Sequence, residues 1–146
     1  MLTPYVDRMQ CISFKILPHC VVMDLLCFDT PWAREEFIAE LNKPRQFGRV
    51  VVGADGVTPM GYIVYAIPGK VLQVLRMAVH PEYQWKGVGT AMLRRVMEKS
   101  HMGAVDTVVE VPGTAVNMQR LLSKCGFYGE TVYGSAPELL RFTHSF

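Results

Sequence analysis

A short glycine-bearing turn, Gln84-Trp85-Lys86-Gly87-Val88-Gly89, stands between an apolar strand-like run, Val71 to Val79, and a helical run, Thr90 to Ser100. It fixes a strand–turn–helix unit in the middle of the chain, and little side-chain bulk guards the helix start. The first N–H groups of a helix have no partner within it, and they carry the positive end of the helix dipole. Glycine lets a ligand approach that backbone with no Cβ in the way. The combination is an anion site, and phosphate is its usual occupant.

Two familiar phosphate binders are excluded by spacing. A Walker A loop places lysine and Ser/Thr directly after its last glycine. Here Lys86 precedes Gly87, and Thr90 follows Val88-Gly89 with no lysine between. A dinucleotide fingerprint needs a third glycine three positions after the second, and that position is Met92. A nucleotide-binding regulator built on this turn is therefore disfavoured.

Composition narrows the class. The chain has 146 residues, half of them hydrophobic, and a formal net charge of +2. That suits one domain, 1–146, with a sizeable core. The charge gives no reason to expect a nucleic-acid partner. No run is long enough to expect a membrane span, and no signal-peptide pattern opens the chain. Cys11, Cys20, Cys27 and Cys125 form no C-x-x-C pair, and no His/Cys cluster has zinc spacing. Free thiols in a cytoplasmic protein, with no metal site, are the expectation.

Along the chain, Cys11 to Leu17 reads as a strand, and Pro18 opens a helix to about Phe28. Asp29-Thr30-Pro31 ends it and starts a second helix, 31–41, with Thr30 as N-cap. Arg49 to Gly53, Gly61 to Ile67 and Val71 to Val79 read as a meander, turning at Ala54-Asp55-Gly56 and Pro68-Gly69. After helix 90–100, Val105 to Val111 is a β-branched strand, ended by Pro112-Gly113. Helix 114–125 follows, capped by Thr114 and stopped by Gly126. Its Met118, Leu121, Leu122 and Cys125 form a core stripe. Phe127 to Tyr133 and Leu139 to Phe142 read as a closing hairpin. The order is β-α-α-β-β-β-α-β-α-β-β, an α/β pattern.

The segment Ala78-Val79-His80-Pro81-Glu82-Tyr83-Gln84-Trp85-Lys86-Gly87-Val88-Gly89 resembles the central motif of the GNAT superfamily of N-acetyltransferases. There Gln/Arg-x-x-Gly-x-Gly/Ala follows a strand ending in Ala-Val-x-Pro-x-Tyr/Phe. The element order is also that of the GNAT fold; the resemblance covers roughly residues 11 to 143 and implies that fold, a central mixed, mostly antiparallel sheet with helices on both faces, and an enzyme that uses acetyl-CoA as co-substrate. It implies that Gln84, Trp85, Lys86, Gly87, Val88, Gly89, Thr90 and Ala91 hold the pyrophosphate. Backbone groups of Met77, Ala78 and Val79 would pair with the pantetheine arm, where this strand splays from the next. Family members carry an asparagine early in the helix after the fifth strand; the aligned residue is Ala115, and Asn117 is the nearby candidate. Arg94, Arg95 and Lys99 read as a solvated helix face.

Acetyl transfer requires a neutral amine. At pH 7 an α-amine is about a tenth neutral, and a lysine amine only about four parts in ten thousand. A proton acceptor therefore matters, and Glu110 is the candidate. Val109-Glu110-Val111 resembles the Leu-Glu-Val of the ribosomal-protein alanine N-acetyltransferases, where this glutamate accepts the proton. Phe28-Asp29-Thr30-Pro31-Trp32 resembles their Phe-Pro-Trp segment, which implies Phe28 and Trp32 beside the acceptor amine. Their tyrosine, which protonates the departing thiolate, is replaced here by Leu122; Tyr128 and Tyr133 are nearby in sequence. The expected activity is transfer of an acetyl group to a protein N-terminus or a small amine. Loss of the tyrosine supports the alternative of a non-catalytic acyl-CoA-binding sensor or interaction module. Edge strands near the C-terminus admit a homodimer.

Overall fold

The computed structural model of the protein describes residues 9–132, 134 and 138–146. Its elements are β1 (Met9–Cys11), α1 (Leu17–Cys27), α2 (Arg34–Leu41), β2 (Gln46–Val52), β3 (Pro59–Ala66), β4 (Val71–Val79), α3 (Val88–Met102), β5 (Asp106–Pro112), α4 (Val116–Lys124), β6 (Tyr128–Val132) and β7 (Leu139–His144). The order is the one expected. The strands form one seven-stranded sheet in the order β1-β2-β3-β4-β5-β7-β6. Every neighbouring pair is antiparallel except β4–β5, which α3 connects as a parallel crossover.

Side-chain alternation along the strands divides the core in two. On one face Ile63, Leu72, Val74, Val109 and Val111 pack against Met92, Leu93 and Val96 of α3 and Leu122 of α4. On the other, Tyr62, Val64 and Ala78 pack against Leu17, Cys20 and Met23 of α1 and Phe37 of α2. Each fully buried large apolar side chain contributes on the order of 1.5–3 kcal/mol.

Three local expectations are corrected. The first strand ends at Cys11, and Leu17 opens α1 instead; the Ser13 carbonyl accepts from the N–H groups of Ile16 and Leu17, which turns the chain before Pro18. Thr30 does not cap α2. That helix starts at Arg34 after Ala33, whose N–H donates to the Glu36 carboxylate (3.2 Å), while the Thr30 carbonyl accepts from Arg76. Thr114 is likewise not a cap: α4 begins at Val116 after Ala115, with no side-chain cap. Tyr133 lies outside the described residues.

A bulge in β4 resets which side chains reach each face of the sheet. Val64 pairs with Arg76 but the next residue, Tyr65, pairs with Val74, so Leu75 is extra. Leu75 and Arg76 consequently both serve the α1/α2 face, and Met77 and Val79 return to the α3/α4 face.

Candidate functional site

The β4–β5 ladder is short. It runs from Val71–Asp106 to Val74–Val109 and stops there, although both strands continue. On its other side β4 stays paired with β3 up to Gly61–Val79. In an antiparallel ladder only alternate residues bond to a given neighbour. The His80 N–H donates to the Met60 carbonyl (2.9 Å), which sets the phase: Ala78 and His80 turn their backbone to β3. Met77 and Val79 therefore turn theirs toward β5, into the gap beyond Val74–Val109. The Val79 carbonyl is already taken, accepting from Gln84 Nε2 (3.0 Å) and from the Cys27 thiol (3.3 Å). That leaves the Met77 N–H and C=O and the Val79 N–H facing the gap.

The glycine turn closes one end of the gap. Gly87 is the N-cap of α3 at φ 89°, and its carbonyl takes the Ala91 N–H (3.0 Å). Val88, Gly89 and Thr90 precede that first helical bond, so their N–H groups form the open end of the helix. Trp85 also has positive φ, 65°, which is costly for a bulky residue. Left-handed residues thus stand on either side of Lys86, and successive residues of opposite backbone hand are what build an anion nest. A Cβ placed on Gly89 would lie 3.3 Å from Leu121 Cδ2, 3.6 Å from Val79 Cγ2 and 3.7 Å from Met77 Cε. The helix start, the end of β4 and α4 thus meet at one glycine. Trp85 and Lys86 are exposed, and Asn117 is exposed at the second position of α4. Of the helix cations, Arg95 pairs with Glu98 (3.2 Å), and burial, then Arg49 and Arg95, lower the Lys99 pKa.

Glu110 lies on β5 past the last β4–β5 pair. Thr107, Val109 and Val111 point into the α3/α4 core, so Asp106, Val108 and Glu110 lie on the opposite face. Glu110 Oε1 is 3.2 Å from Nη2 of Arg141, directly across on β7, and Glu130 on β6 is opposite Arg141 in turn.

Phe28 and Trp32 are brought together on the α1/α2 face by residues that motif reading missed. The Arg76 guanidinium lies 3.9 Å from the Phe28 ring centre and 4.8 Å from that of Trp32. Its Nε and Nη2 donate to the two oxygens of Asp24 (2.9 and 2.7 Å). Asp24 is fully buried and also accepts from the Tyr62 hydroxyl and from the Trp32 N–H (2.6 Å). Burial, reinforced by Asp24, pushes the Tyr62 pKa up. Burial alone would lower Arg76, but Asp24 outweighs it and the guanidinium is held more firmly charged. The signal was present in the sequence: a single carboxylate in the mostly apolar α1, Asp24, and a single cation in the mostly apolar β4, Arg76.

Leu122 is fully buried in the α3/α4 core. Among the described tyrosines, Tyr62 is bound to Asp24, Tyr65 stacks on Phe47 (5.4 Å between centres), the Tyr83 ring is 5.8 Å from Lys86 Nζ, and Tyr128 is exposed on β6. A depression of about 850 Å³ lies between Ile16 and His19 at the start of α1 and the turn at Gly56 to Pro59, and it reaches His80, Glu82 and Tyr83 just past β4. None of the expected site residues lines it.

Residues 19–127 match the family model described as the acetyltransferase (GNAT) family. The chain belongs to that family. No curated protein sequence matches it. Solved structures support the GNAT fold. The ribosomal-protein-S18-alanine N-acetyltransferase from Escherichia coli superposes with a TM-score of 0.80 at 16% identity, over 94% of this chain and 92% of that one. Ard1 from Thermoplasma volcanium gives 0.81 at 14%, over 94% and 95%. Arabidopsis thaliana NAA60 in complex with a bisubstrate analogue gives 0.77 at 13%, over 94% and 96%. Identities this low carry the fold alone. Among the described residues, no helix of this GNAT chain is long and apolar enough to cross a membrane.

Proposed function

We propose that this GNAT protein is an acetyl-CoA-dependent N-acetyltransferase that moves an acetyl group to a primary amine in a ternary complex. One observation carries the reading: the β4–β5 ladder ends at Val74–Val109, so the N–H and C=O of Met77 and the N–H of Val79 face the same gap that the Gly87–Thr90 helix start closes. The N–H groups of Val88, Gly89 and Thr90 take the pyrophosphate, with Gln84 to Lys86 and Ala91 shaping the loop. Met77 and Val79 pair with the amides of the pantetheine arm, as a short added strand would. Ala78, bonded to β3, holds their spacing, and Asn117 stands near the cofactor at the start of α4. The Met77 N–H stabilises the negative charge that develops on the thioester oxygen.

Glu110 takes the proton from the acceptor amine as its nitrogen bonds to the acetyl carbon and the C–S bond breaks. Phe28 and Trp32 wall the acceptor side. No tyrosine hydroxyl stands at Leu122, so the thiolate leaves without that proton donor. The fold neighbour named as a ribosomal-protein-S18-alanine N-acetyltransferase supports a protein N-terminus as the acceptor, with small amines as the second class. A non-catalytic acyl-CoA-binding module is favoured by two features of the site, the apolar Leu122 and the Glu110–Arg141 ion pair.

A thiol-release assay with acetyl-CoA and a panel of N-terminal peptides and amines separates the two. Turnover on some acceptor, falling at least about a hundredfold in Glu110→Gln with acetyl-CoA still bound, supports the enzyme. Binding with no turnover across the panel supports the module.

A further inference from the structure

We infer that Arg76 is a positioning residue, one that clamps the Phe28–Trp32 segment onto β4 and so shapes the acceptor side of the gap. The clamp rests on geometry; that the clamped wall faces an acceptor amine rests on the acetyltransferase reading.

The bulge at Leu75 places Arg76 on the α1/α2 face. There one guanidinium joins three parts of the chain. Its fork spans both Asp24 oxygens on α1 (2.9 and 2.7 Å), and Nη2 also donates to the Thr30 carbonyl (3.1 Å). Its plane lies against Phe28 and Trp32. Asp24 completes the device from below by accepting the Trp32 N–H. Among the described residues, the hydrogen bonds of residues 28–32 all end on Asp24 or Arg76: Phe28 N–H to the Asp24 carbonyl, Trp32 N–H to the Asp24 carboxylate, and Arg76 to the Thr30 carbonyl. The Phe28 N–H makes the last bond of α1, and the Trp32 ring also packs edge-on against Phe37 (5.1 Å between centres); between those anchors no ladder holds the segment, and Arg76 is the side chain that touches Phe28, Thr30 and Trp32 together. A pair serving only stability would need neither the Thr30 bond nor the two rings. Lysine would keep the charge but not the planar fork.

The test compares wild type, Arg76→Lys and Tyr62→Phe. Steady-state kinetics with the best acceptor from the panel should show Arg76→Lys raising acceptor KM at least about tenfold, with kcat and acetyl-CoA Kd within about threefold. Tyr62→Phe leaves every contact of Arg76 with residues 28–32 in place, so its acceptor KM should stay near wild type. An unchanged acceptor KM in Arg76→Lys, or an equal rise in Tyr62→Phe, would overturn the specific role. A second readout needs no acceptor. The chain has two tryptophans, and Trp85 is 84% exposed. With 5-fluorotryptophan labelling, the more protected Trp32 ¹⁹F line should shift toward the solvent-exposed position in Arg76→Lys and hold in Tyr62→Phe. If wild type acetylates nothing on the panel, the acetyltransferase reading fails, and this line still decides the clamp: an unmoved Trp32 resonance in Arg76→Lys refutes it.

Discussion

At the residue scale, two carboxylates, Asp24 and Glu110, differ in what they hold. Asp24 is fully buried under Arg76, Tyr62 and the Trp32 N–H, so Asp24→Ala leaves a guanidinium and a hydroxyl without their partner. Breaking a buried pair from one side costs about 3–5 kcal/mol. Urea unfolding of that variant should show a loss of this size; a loss below about 1 kcal/mol would mean that water replaces Asp24 without penalty. Glu110 is partly exposed, and its bond to Arg141 is a cross-strand surface pair worth at most about 1 kcal/mol. Glu110→Gln should therefore melt within a few degrees of wild type while its turnover collapses, so that lost activity is not lost fold. Leu122 is packed where related enzymes carry a tyrosine. Leu122→Tyr forces extra volume and a hydroxyl into a full core. It should cost about 1–3 kcal/mol by overpacking and restore no proton donor; a faster and equally stable variant would contradict the packing described. The family resemblance singled out Glu110 and the turn as candidates. Asp24 and Arg76 were visible only as misplaced charges, because their partners lie 38 to 52 positions away in the chain.

At the element scale, the strand–turn–helix was legible because the apolar period changes from two to 3.6 across the glycines. The boundaries of β4 match the sequence reading at both ends, since Val71 and Val79 bound a mostly apolar run between Pro68-Gly69 and His80-Pro81. The α2 start was not legible. Thr30 and Pro31 make a good local cap and first turn, but the Thr30 carbonyl is taken by Arg76, and the helix begins three residues after Pro31. The Leu75 bulge was equally hidden: nothing in Val-Leu-Arg-Met marks it, and it is set by pairing with β3. The turn itself supports a prediction. Gly87 sits at φ 89°, where a β-branched residue costs roughly 1–2 kcal/mol and brings side-chain bulk to the helix start. Gly87→Val should remain folded by circular dichroism with a melting temperature a few degrees lower.

At the scale of the whole molecule, the element order was readable from periodicity, whereas the two-faced sheet and the gap were expected only through the family resemblance. The gap depends on where one parallel ladder stops, and strand sequences that continue past Val74 and Val109 do not announce that the pairing ends. The same two-faced packing predicts the behaviour of the thiols. Cys20 is fully buried, and burial followed by the charge of Asp24 pushes its pKa from 9.0 to about 12. The folded state thus keeps the Cys20 proton where the unfolded chain would lose it. The stabilising difference is fully present below pH 9.0 and is lost as pH rises toward about 12. Denaturation midpoints should fall as pH is raised above that threshold, and less steeply in Cys20→Ala. With a thiol reagent at neutral pH, exposed Cys11 should label at once, and Cys20 and Cys125 only on unfolding; prompt labelling of Cys20 would show that α1 does not cover it.

Calorimetric titration of acetyl-CoA into the wild type and Gly87→Val probes the pyrophosphate site itself. The wild type should bind at one site per chain, and the folded variant should lose at least about tenfold in affinity. A wild type that fails to bind, or a variant that binds equally well, would contradict the placement of the pyrophosphate at the start of α3.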